Sequence, residues 1–316
     1  MSDRTLGATI PVMQAAIGRV ADAGLVLAVG AAGGVGTLGA SYMPLDLLDR
    51  QLQLISDGAR EPFVVNLILA FDQRERLAVT LQHHVPWIGY SWGLDRALVE
   101  RAHDASRSVL VQVADREQAA DALGAGADAL IVQGVEAGGH VQGTEPLGDL
   151  LPVVRGLTDL PIVAAGGISS VAAARRAIAL GADLVSLGTR FAACTESLAH
   201  PRYRAALLAA SSDDTVLTDL FDVGWAAPHR VLRTPVVTRW EAAGEPAPGG
   251  RPDEGTSTVS GPMGALPLYS MHPAVIGIEG DVETLPFYAG TDVGAVSTPE
   301  SAGDVVEALA AAFGPG

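Results

Sequence analysis

Short apolar runs rich in Val, Ile and Leu alternate along this chain with longer segments that have helical periodicity. Such alternation is typical of repeated βα units and favours a parallel α/β architecture. We predict eight strands, at residues 12–15, 35–38, 63–67, 87–90, 109–113, 129–132, 162–165 and 184–187. The turns LGAGADAL at 123–130 and LGADL at 180–184 nearly repeat one another. Repetition of one unit predicts a TIM (β/α)8 barrel, with an open doubly wound sheet as the alternative.

A few residues mark the boundaries of the intervening helices. Pro44 is expected to begin one helix, because its missing amide proton is not needed in the first turn. Asp115 is expected to cap another helix. Either Ser169 or Ser170 should open the helix that Gly181 ends.

The chain departs from simple alternation after the eighth predicted strand. Residues 201–210 read as a helix, and residues 302–313 as a closing amphipathic helix. Residues 240–263, rich in Pro, Gly, Glu and Ser, predict a long loop that is either a lid or an inert surface excursion. We therefore expect a barrel core at 1–195 and a helical and loop extension at 196–316 that packs on it, as one structural domain.

Charge and composition exclude several classes of function. The net charge of −16, from 36 acidic and 20 basic residues, argues against a nucleic-acid partner or an anionic membrane surface. All the basic residues are arginine, which excludes Schiff-base aldolases, PLP enzymes and Walker-type phosphate loops, since each needs a lysine. The uncharged stretch at 23–43 has the length of a membrane span, but its glycines favour a buried helix, a turn and a short strand.

Cysteine content bears on location and reactivity. Cys194 is the only cysteine, so no intrachain disulfide can form, and the first residues lack a secretory apolar core. The cytoplasm is the expected location. No nearby His–Asp pattern activates Cys194, which we expect to be a buried, unreactive thiol, and no metal-binding pattern is present.

Residues 133–140, with the sequence QGVEAGGH, directly follow the sixth predicted strand. In parallel α/β proteins the chemistry lies at the carboxyl ends of strands. Glycines let backbone amides approach a ligand, and the imidazole of His140 can exchange a proton near neutral pH. The alternative is a Gly-rich turn with a solvated histidine.

Glycines also end the last two predicted strands. Gly166 and Gly167 follow strand seven, and Gly188 with Thr189 follows strand eight. Barrels often bind a cofactor phosphate in these two loops, where amides and a helix N-terminus approach the anion. The sequence therefore predicts a phosphate site there, with two tight turns and no ligand as the alternative.

The tract at 133–140, followed by Gly143, resembles the QGxEAGGHxG signature of the nitronate monooxygenase family, formerly called 2-nitropropane dioxygenases. Members of that family are FMN-dependent TIM barrels. Further segments match in order: PVMQA at 11–15 with AAGGVGTL at 31–38, VNL at 65–67, PIVAAGGI at 161–168, GTRF at 188–191 and YAG at 288–290. The resemblance thus spans nearly the whole chain.

This resemblance implies an FMN site at matched positions. Asn66 and Gln133 would meet the pyrimidine side of the flavin ring, and Gly138 would line it. The other implied cofactor-binding residues are Gly139, Gly166, Gly167, Ser186, Leu187, Gly188, Thr189, Tyr288 and Gly290. Two segments depart from the family pattern, since AIGR at 16–19 replaces the more usual Pro-Met-Ala-Gly and Thr291 replaces a Gln. Those departures concern the substrate pocket more than the cofactor.

His140 carries the predicted mechanism. As a base it would take a proton from the carbon next to a nitro group, in an FMN-dependent oxidation of alkyl nitronates or nitroalkanes by oxygen. It could instead only hydrogen-bond the nitro group. His229 is a further pocket candidate, Trp225 or Tyr288 could supply an apolar wall, and the remaining histidines are assigned to helices and surface.

Other functions stay open at this point. Similar proteins include FMN-dependent NAD(P)H reductases, either enoyl-ACP reductase-like or quinone reductases, although no dinucleotide GxGxxG motif follows the first predicted strand. A flavin-binding module without turnover is another alternative. The sequence also leaves the oligomeric state open, a homo-oligomer included.

Overall fold

The computed structural model describes residues 4–262 and 264–314. Eight parallel strands form one sheet in the order β1-β8-β7-β6-β5-β4-β3-β2. They are β1 Val12–Gln14, β2 Gly36–Gly39, β3 Phe63–Ile68, β4 Trp87–Ser91, β5 Ser108–Val113, β6 Ala129–Gln133, β7 Ile162–Ala165 and β8 Leu184–Leu187. A parallel bridge between Met13 and Val35 joins β1 to the residue before β2 and closes the sheet. The predicted TIM barrel is confirmed, and every strand boundary lies within one residue of its prediction.

Seven helices connect the strands and surround the barrel. They are α1 Ala23–Ala31, α2 Leu45–Gly58, α3 Arg74–Thr80, α4 Arg96–Asp104, α5 Arg116–Gly124, α6 Leu147–Arg155 and α7 Val171–Ala179. Their caps follow the sequence, since Asp115 accepts a hydrogen bond from Gln118 N at 2.8 Å and Ser170 from Ala173 N at 3.2 Å. Pro44 is the residue before α2, and Gly181, at φ +107°, follows α7. No helix among the described residues combines the length and apolar character that a membrane span needs.

In the described part of the chain four α-helices follow β8, and the last of them completes the barrel. These are α8 Thr189–Ala192, α9 Pro201–Ala209, α10 Pro235–Ala242 and α11 Ala302–Ala310. Val305, Val306 and Leu309 of α11 are fully buried in the core that the barrel strands share with α1 and α7. The extension predicted at 196–316 includes α11, whose apolar face packs in the ring of helices.

Residues 196–301 form an insertion between β8 and α11. The insertion leaves and rejoins the barrel at one place, because Thr195 N donates to Glu300 O at 3.0 Å. It contains the short strands Thr215–Thr218, His229–Leu232, Val259–Gly261, Gly264–Leu266 and Glu279–Gly280, and the 3-10 helices Ser212–Asp214, Val282–Thr284 and Val293–Ala295. A further 3-10 helix, Gly18–Val20, follows β1.

The insertion also pairs with the glycine tract that follows β6. The two-residue strand Gly139–His140 lies antiparallel to His229–Leu232, with His140 opposite His229 and Gly139 opposite Arg230. Inter-strand hydrogen bonds fix the register of such a pair. The insertion therefore sets where His140 lies above the barrel.

Candidate functional site

A cavity of about 240 Å³ opens where the barrel strands end and the insertion covers them. Of the residues predicted to bind the cofactor or to act as the base, all except Leu187 line it: Asn66, Gln133, Gly138, Gly139, His140, Gly166, Gly167, Ser186, Gly188, Thr189, Tyr288 and Gly290. Carboxyl ends of parallel strands are where α/β barrels bind ligands. The sequence therefore identified one shared cavity from positions spread over 225 residues, from Asn66 to Gly290.

Leu187 lies outside that lining for a simple reason. It is the last residue of β8, and its side chain points into the core, where it is 1% exposed. Its carbonyl accepts the amide of Ala15 at 2.9 Å. Neighbouring residues in a strand alternate between faces, so Ser186 and Leu187 cannot both present side chains to the cavity.

The loop after β7 has the backbone that the phosphate prediction requires. Gly166 and Gly167 have φ values of +108° and +62°, which side chains rarely tolerate. Within the described residues, the amides of Gly166, Gly167 and Ile168 donate to no protein acceptor. By contrast, Ser169 N donates to Asp292 Oδ2 at 2.7 Å and is not available to an anion.

Gly138 and Gly290, which the sequence analysis predicted as cofactor contacts, are also needed for the packing of the chain. A Cβ atom at Gly138 would overlap the backbone nitrogen of Gly290, and one at Gly290 would lie 3.0 Å from Glu136 O. Gly290 N also donates to Thr189 Oγ1 at 2.9 Å. These glycines allow the tract after β6 and the C-terminal segment to pack backbone against backbone.

Gln133 holds the loop that carries His140. Its Nε2 donates to His140 O at 3.2 Å, and its Oε1 accepts from Gln142 N at 2.9 Å. Asn66, within β3, donates from Nδ2 to Ser91 Oγ at 3.3 Å. Each amide therefore has structural partners, and only its remaining donor or acceptor capacity is open to a ligand.

His140 is surrounded by rings. It stacks on Trp225 with ring centroids 4.2 Å apart and an interplanar angle of 24°, and Tyr288 lies 5.6 Å away. Its Nε2 is buried with no hydrogen-bond partner among the described residues. Burial, and secondarily the neighbouring His229, lower the pKa of His140 to about 3. The imidazole is therefore neutral at physiological pH.

His229 has a structural role behind His140. It is fully buried, its Nε2 accepts from Phe221 N at 3.1 Å, and its Nδ1 lies 2.8 Å from Ala227 O. The contact at Nε2 requires an acceptor, so the proton is on Nδ1 and both nitrogens are used. Burial lowers the pKa of His229 as well. His229 does not line the cavity, whereas His272, assigned to the surface from sequence, does.

Aromatic residues form the wall of the cavity that faces His140. Trp225 and Tyr288, both named from the sequence, lie there together with Trp92 and Tyr42, which the sequence reading missed. Trp92 follows β4 directly, in the same position relative to its strand as Gly166 and Gly188. That position after a barrel strand was the signal that could have identified it.

Residues 240–263, predicted as one long loop, include the end of α10 and the strand Val259–Gly261, and they lie away from the cavity. None of the described residues in this range lines the cavity, but Arg251 donates from both terminal nitrogens to Asp222, at 2.8 and 2.6 Å, and to Leu220 O at 2.9 Å. Asp222 belongs to the segment that carries Trp225. The loop therefore braces the aromatic wall, and it does not cover the cavity itself.

Cys194 does not line the cavity. Cys194 is 1% exposed, and burial raises the pKa of its thiol to about 12, as expected for an unreactive cysteine. Among the described residues no group of three or more His, Cys, Asp or Glu side chains could hold a metal ion.

Some polar side-chain atoms around the cavity have no hydrogen-bond partner within the protein, as is expected of a cofactor site. Three buried side-chain atoms that belong to cavity-lining residues have no partner among the described residues, namely Thr37 Oγ1, Tyr42 Oη and His140 Nε2. Buried polar atoms are normally hydrogen-bonded, and a molecule bound in the cavity would be placed to supply partners for these three. With the unpaired amides after β7, they fit a large polar ring system that carries an anionic group.

Comparison with known proteins gives consistent results. The sequence model of the family described as "Nitronate monooxygenase" matches residues 3–75 and 69–312. A relative from Mycobacterium tuberculosis is 34% identical over 241 residues, which cover 75% of this chain and 67% of that protein. It is named "(3aS,4S,5R,7aS)-5-hydroxy-7a-methyl-1-oxo-octahydro-1H-indene-4-carboxyl-CoA dehydrogenase".

Two solved structures are similar over almost the whole chain. A nitroalkane oxidase from Streptomyces ansochromogenes has a TM-score of 0.76 at 28% identity, covering 98% of this chain and 97% of that one. FabK from Thermotoga maritima has a TM-score of 0.79 at 27% identity, covering 98% and 94%.

Proposed function

Since the chain belongs to the nitronate monooxygenase family of oxidoreductases, we propose that it binds FMN and oxidises alkyl nitronates with molecular oxygen. The observation that carries this proposal is the placement of His140, the glycine loops and Asn66 around one cavity in the order of the family's motifs. Similarity to a nitroalkane oxidase over 98% of the chain supports it.

The residues present fit FMN. Gly166, Gly167, Gly188 and Thr189 would hold its phosphate through backbone amides, while Asn66, Gln133 and Gly138 would contact the ring. Bound flavin supplies the redox chemistry between nitronate and oxygen, which no side chain can provide. The protein's own task is to bind and orient the substrate and to keep bulk water away.

His140 is suited to hold the nitro group of a nitronate. A neutral imidazole can donate one hydrogen bond to a nitro oxygen without adding charge to a buried site. The lowered pKa also makes it a weak base, so removal of a carbon-bound proton from a neutral nitroalkane should be slower than use of the pre-formed nitronate. We therefore propose nitronates as the main substrates and nitroalkanes as slower ones.

Aerobic turnover tests this function. With ethylnitronate and no NAD(P)H, the flavin-loaded protein should consume oxygen well above the rate of free FMN. The flavin released by heat should be FMN and not FAD, because the two glycine loops offer one phosphate site. No oxygen uptake with any nitronate would reject the proposed reaction, and release of FAD would reject the phosphate assignment.

A second candidate function follows from the 34% identical dehydrogenase and from FabK. The same cavity would then serve a flavin-dependent reductase or dehydrogenase acting on an acyl thioester. Anaerobic stopped-flow mixing separates the two functions, with NADH, NADPH or a nitronate as the reductant. Rapid flavin reduction by a nicotinamide without response to nitronate would favour the reductase.

Gly188 offers the cleanest test of the phosphate site. Its φ of −99° suits any residue, and a Cβ atom there would make only an ordinary contact, 3.4 Å from Ile17 Cγ2. We expect Gly188→Val to keep the fold and to weaken FMN binding at least tenfold, because a branched side chain obstructs the amides. Flavin titration of the apo-protein measures this change, with circular dichroism as the check on folding.

Gly167 is unsuitable for the same experiment. Its φ is +62°, and a Cβ atom would lie 2.9 Å from Glu136 Cβ. A substitution there would strain the loop whatever the ligand does.

Native circular dichroism with unchanged FMN affinity in Gly188→Val would mean that the loop after β8 is only a turn.

A further inference from the structure

Aromatic residues are concentrated at this one cavity. The chain is only 5% aromatic, yet two of its four tryptophans and three of its five tyrosines line the cavity: Trp92, Trp225, Tyr42, Tyr203 and Tyr288. Large aromatic side chains more often belong to a closed core. Here Trp92 and Trp225 are only half-buried and form part of an open surface.

The rings on the side of His140 contact one another in a continuous series. Trp92 meets Trp225 edge-on with centroids 4.7 Å apart, and Phe71 meets Trp225 at 5.5 Å. Tyr42 meets Phe71 at 5.2 Å. Edge-to-face contacts fix the relative orientation of neighbouring rings. We call the pair Trp92 and Trp225 the tryptophan wall.

Trp92 has a backbone conformation that a packing role does not require. Its φ is +58°, which is unusual for a bulky side chain and energetically costly. The conformation is held by Gln142, whose Oε1 accepts Trp92 N at 3.1 Å. Gln142 is itself bonded to Gln112 and Gln118. Strained residues held in this way cluster at ligand-binding sites.

Trp225 is supported just as firmly from behind. Gly224, at φ +107°, turns the chain before it, and the buried Arg251–Asp222 ion pair anchors the segment. Its ring stacks on His140 at 4.2 Å. Both tryptophans are thus pre-organised beside the group that would hold the nitro end of a substrate, so binding need not order them.

We propose that the tryptophan wall determines specificity and that the preferred nitronates carry an aromatic ring next to the nitronate carbon. This inference rests on the proposed function. With the nitro group at His140, the organic part of the substrate lies against Trp92 and Trp225, where an aromatic ring fills the wall and adopts edge-to-face or offset contacts. An ethyl group leaves most of that surface without contact.

The first test compares three substrates. We expect kcat/KM for the nitronate of phenylnitromethane to exceed that for ethylnitronate at least tenfold, and to exceed that for cyclohexylnitronate by a smaller factor. Equal values for all three would overturn the proposal. Equal values of kcat/KM for the phenyl and cyclohexyl nitronates would show that the size of the ring matters and its aromatic character does not, and would overturn the proposed aromatic substrate class.

Variants of Trp225 test whether the preference for the phenyl nitronate depends on the tryptophan wall. Trp225→Leu should reduce the phenyl-to-ethyl ratio several-fold, and Trp225→Phe should retain part of it. Trp87→Leu is the matched control, since Trp87 is half-buried at the start of β4, at the opposite end of the barrel, and does not line the cavity, and it should leave the ratio unchanged. An equal loss on both substrates in Trp225→Leu would make the wall purely structural.

A binding measurement keeps this test independent of turnover. Nitrobenzene has no hydrogen on the carbon that bears its nitro group and is not a substrate for proton removal. In calorimetric titrations of the flavin-loaded protein it should bind at least tenfold more tightly than nitromethane, and Trp225→Leu should abolish that difference. Loss of FMN from Trp225→Leu would assign the wall to the cofactor and overturn the proposal. If the protein turned over no nitronate but still bound nitrobenzene more tightly than nitromethane, the proposed reaction would be rejected and the proposed role of the tryptophan wall would stand.

Discussion

His140→Gln is expected to lower kcat/KM for a neutral nitroalkane by about 10²–10⁴-fold if His140 is the base, the usual contribution of a general base. A pre-formed nitronate, which has no carbon-bound proton to lose, should keep far more of its activity. Glutamine keeps a side-chain N–H donor but cannot accept a proton at these pH values. Paired steady-state kinetics on nitroethane and ethylnitronate measure the difference.

The control for this variant is FMN binding. The glycine loops and Asn66 are unchanged, so the affinity for FMN should stay within a few-fold of the unsubstituted protein. Equal losses on the two substrates would show that His140 orients the nitro group and is not the base. Full activity on both would place the chemistry elsewhere in the cavity.

The pH profile follows from the environment of His140. Burial and His229 lower its pKa to about 3, so the imidazole is already deprotonated throughout the neutral range. We expect kcat/KM for nitroethane to show no inflection near the ordinary histidine value of about 6.5. An inflection there that disappears in His140→Gln would contradict the buried, neutral state.

The same lowered pKa makes stability depend on pH. Between the ordinary value of about 6.5 and the folded value of about 3, the unfolded chain binds a proton that folded His140 does not. The free energy of unfolding therefore falls as pH decreases through this window, by up to about 1.4 kcal/mol per unit from this group. His140→Gln should show a shallower decline in denaturant titrations over that range.

Arg251→Leu should destabilise the protein by about 3 kcal/mol, because it leaves Asp222 and Leu220 O without their buried donor. The Arg251 side chain is 3% exposed and that of Asp222 is 19% exposed, so the loss should lie at the low end for buried ion pairs. Chemical unfolding measures the change. The tryptophan wall should also lose its phenyl preference.

Arg239→Leu is the matched control for that experiment. Its partner is Asp253 at 3.2 Å, with the two side chains 48% and 63% exposed. Exposed pairs contribute no more than about 1 kcal/mol, so this variant should stay near the unsubstituted stability. A similar loss in both variants would show that Arg251 has no special role in bracing the wall.

The barrel could be predicted because its signal is local. Each strand is a short buried run, and each helix begins or ends at a residue such as Asp115 or Gly181 that acts on its own turn. The cavity could be located for a related reason, since residues directly after parallel strands must meet at one end of the barrel. Trp92 also lies directly after a strand, and the sequence analysis missed it only because no motif marks it.

The remaining features depend on contacts between distant segments. His229 reads as a further pocket residue in the sequence, and only the amide of Phe221 and the carbonyl of Ala227 show that both of its nitrogens are occupied. The loop at 240–263 has the composition of a lid, but composition does not say what a loop covers. Likewise, Gly138 reads as a ligand contact, while its close approach to Gly290 appears only once the chain is folded.

The backbone hydrogen bond between Thr195 and Glu300 makes the insertion a cassette. Its two ends are side by side, so a longer, shorter or differently folded segment could replace it without moving β8 or α11. The barrel would keep the cavity-lining residues of β3, β7 and β8, while Trp225, Met271 and Tyr288 would change as one unit. Exchange of this segment between relatives is therefore a route by which one flavin barrel can acquire new substrates, and a practical unit for engineering them.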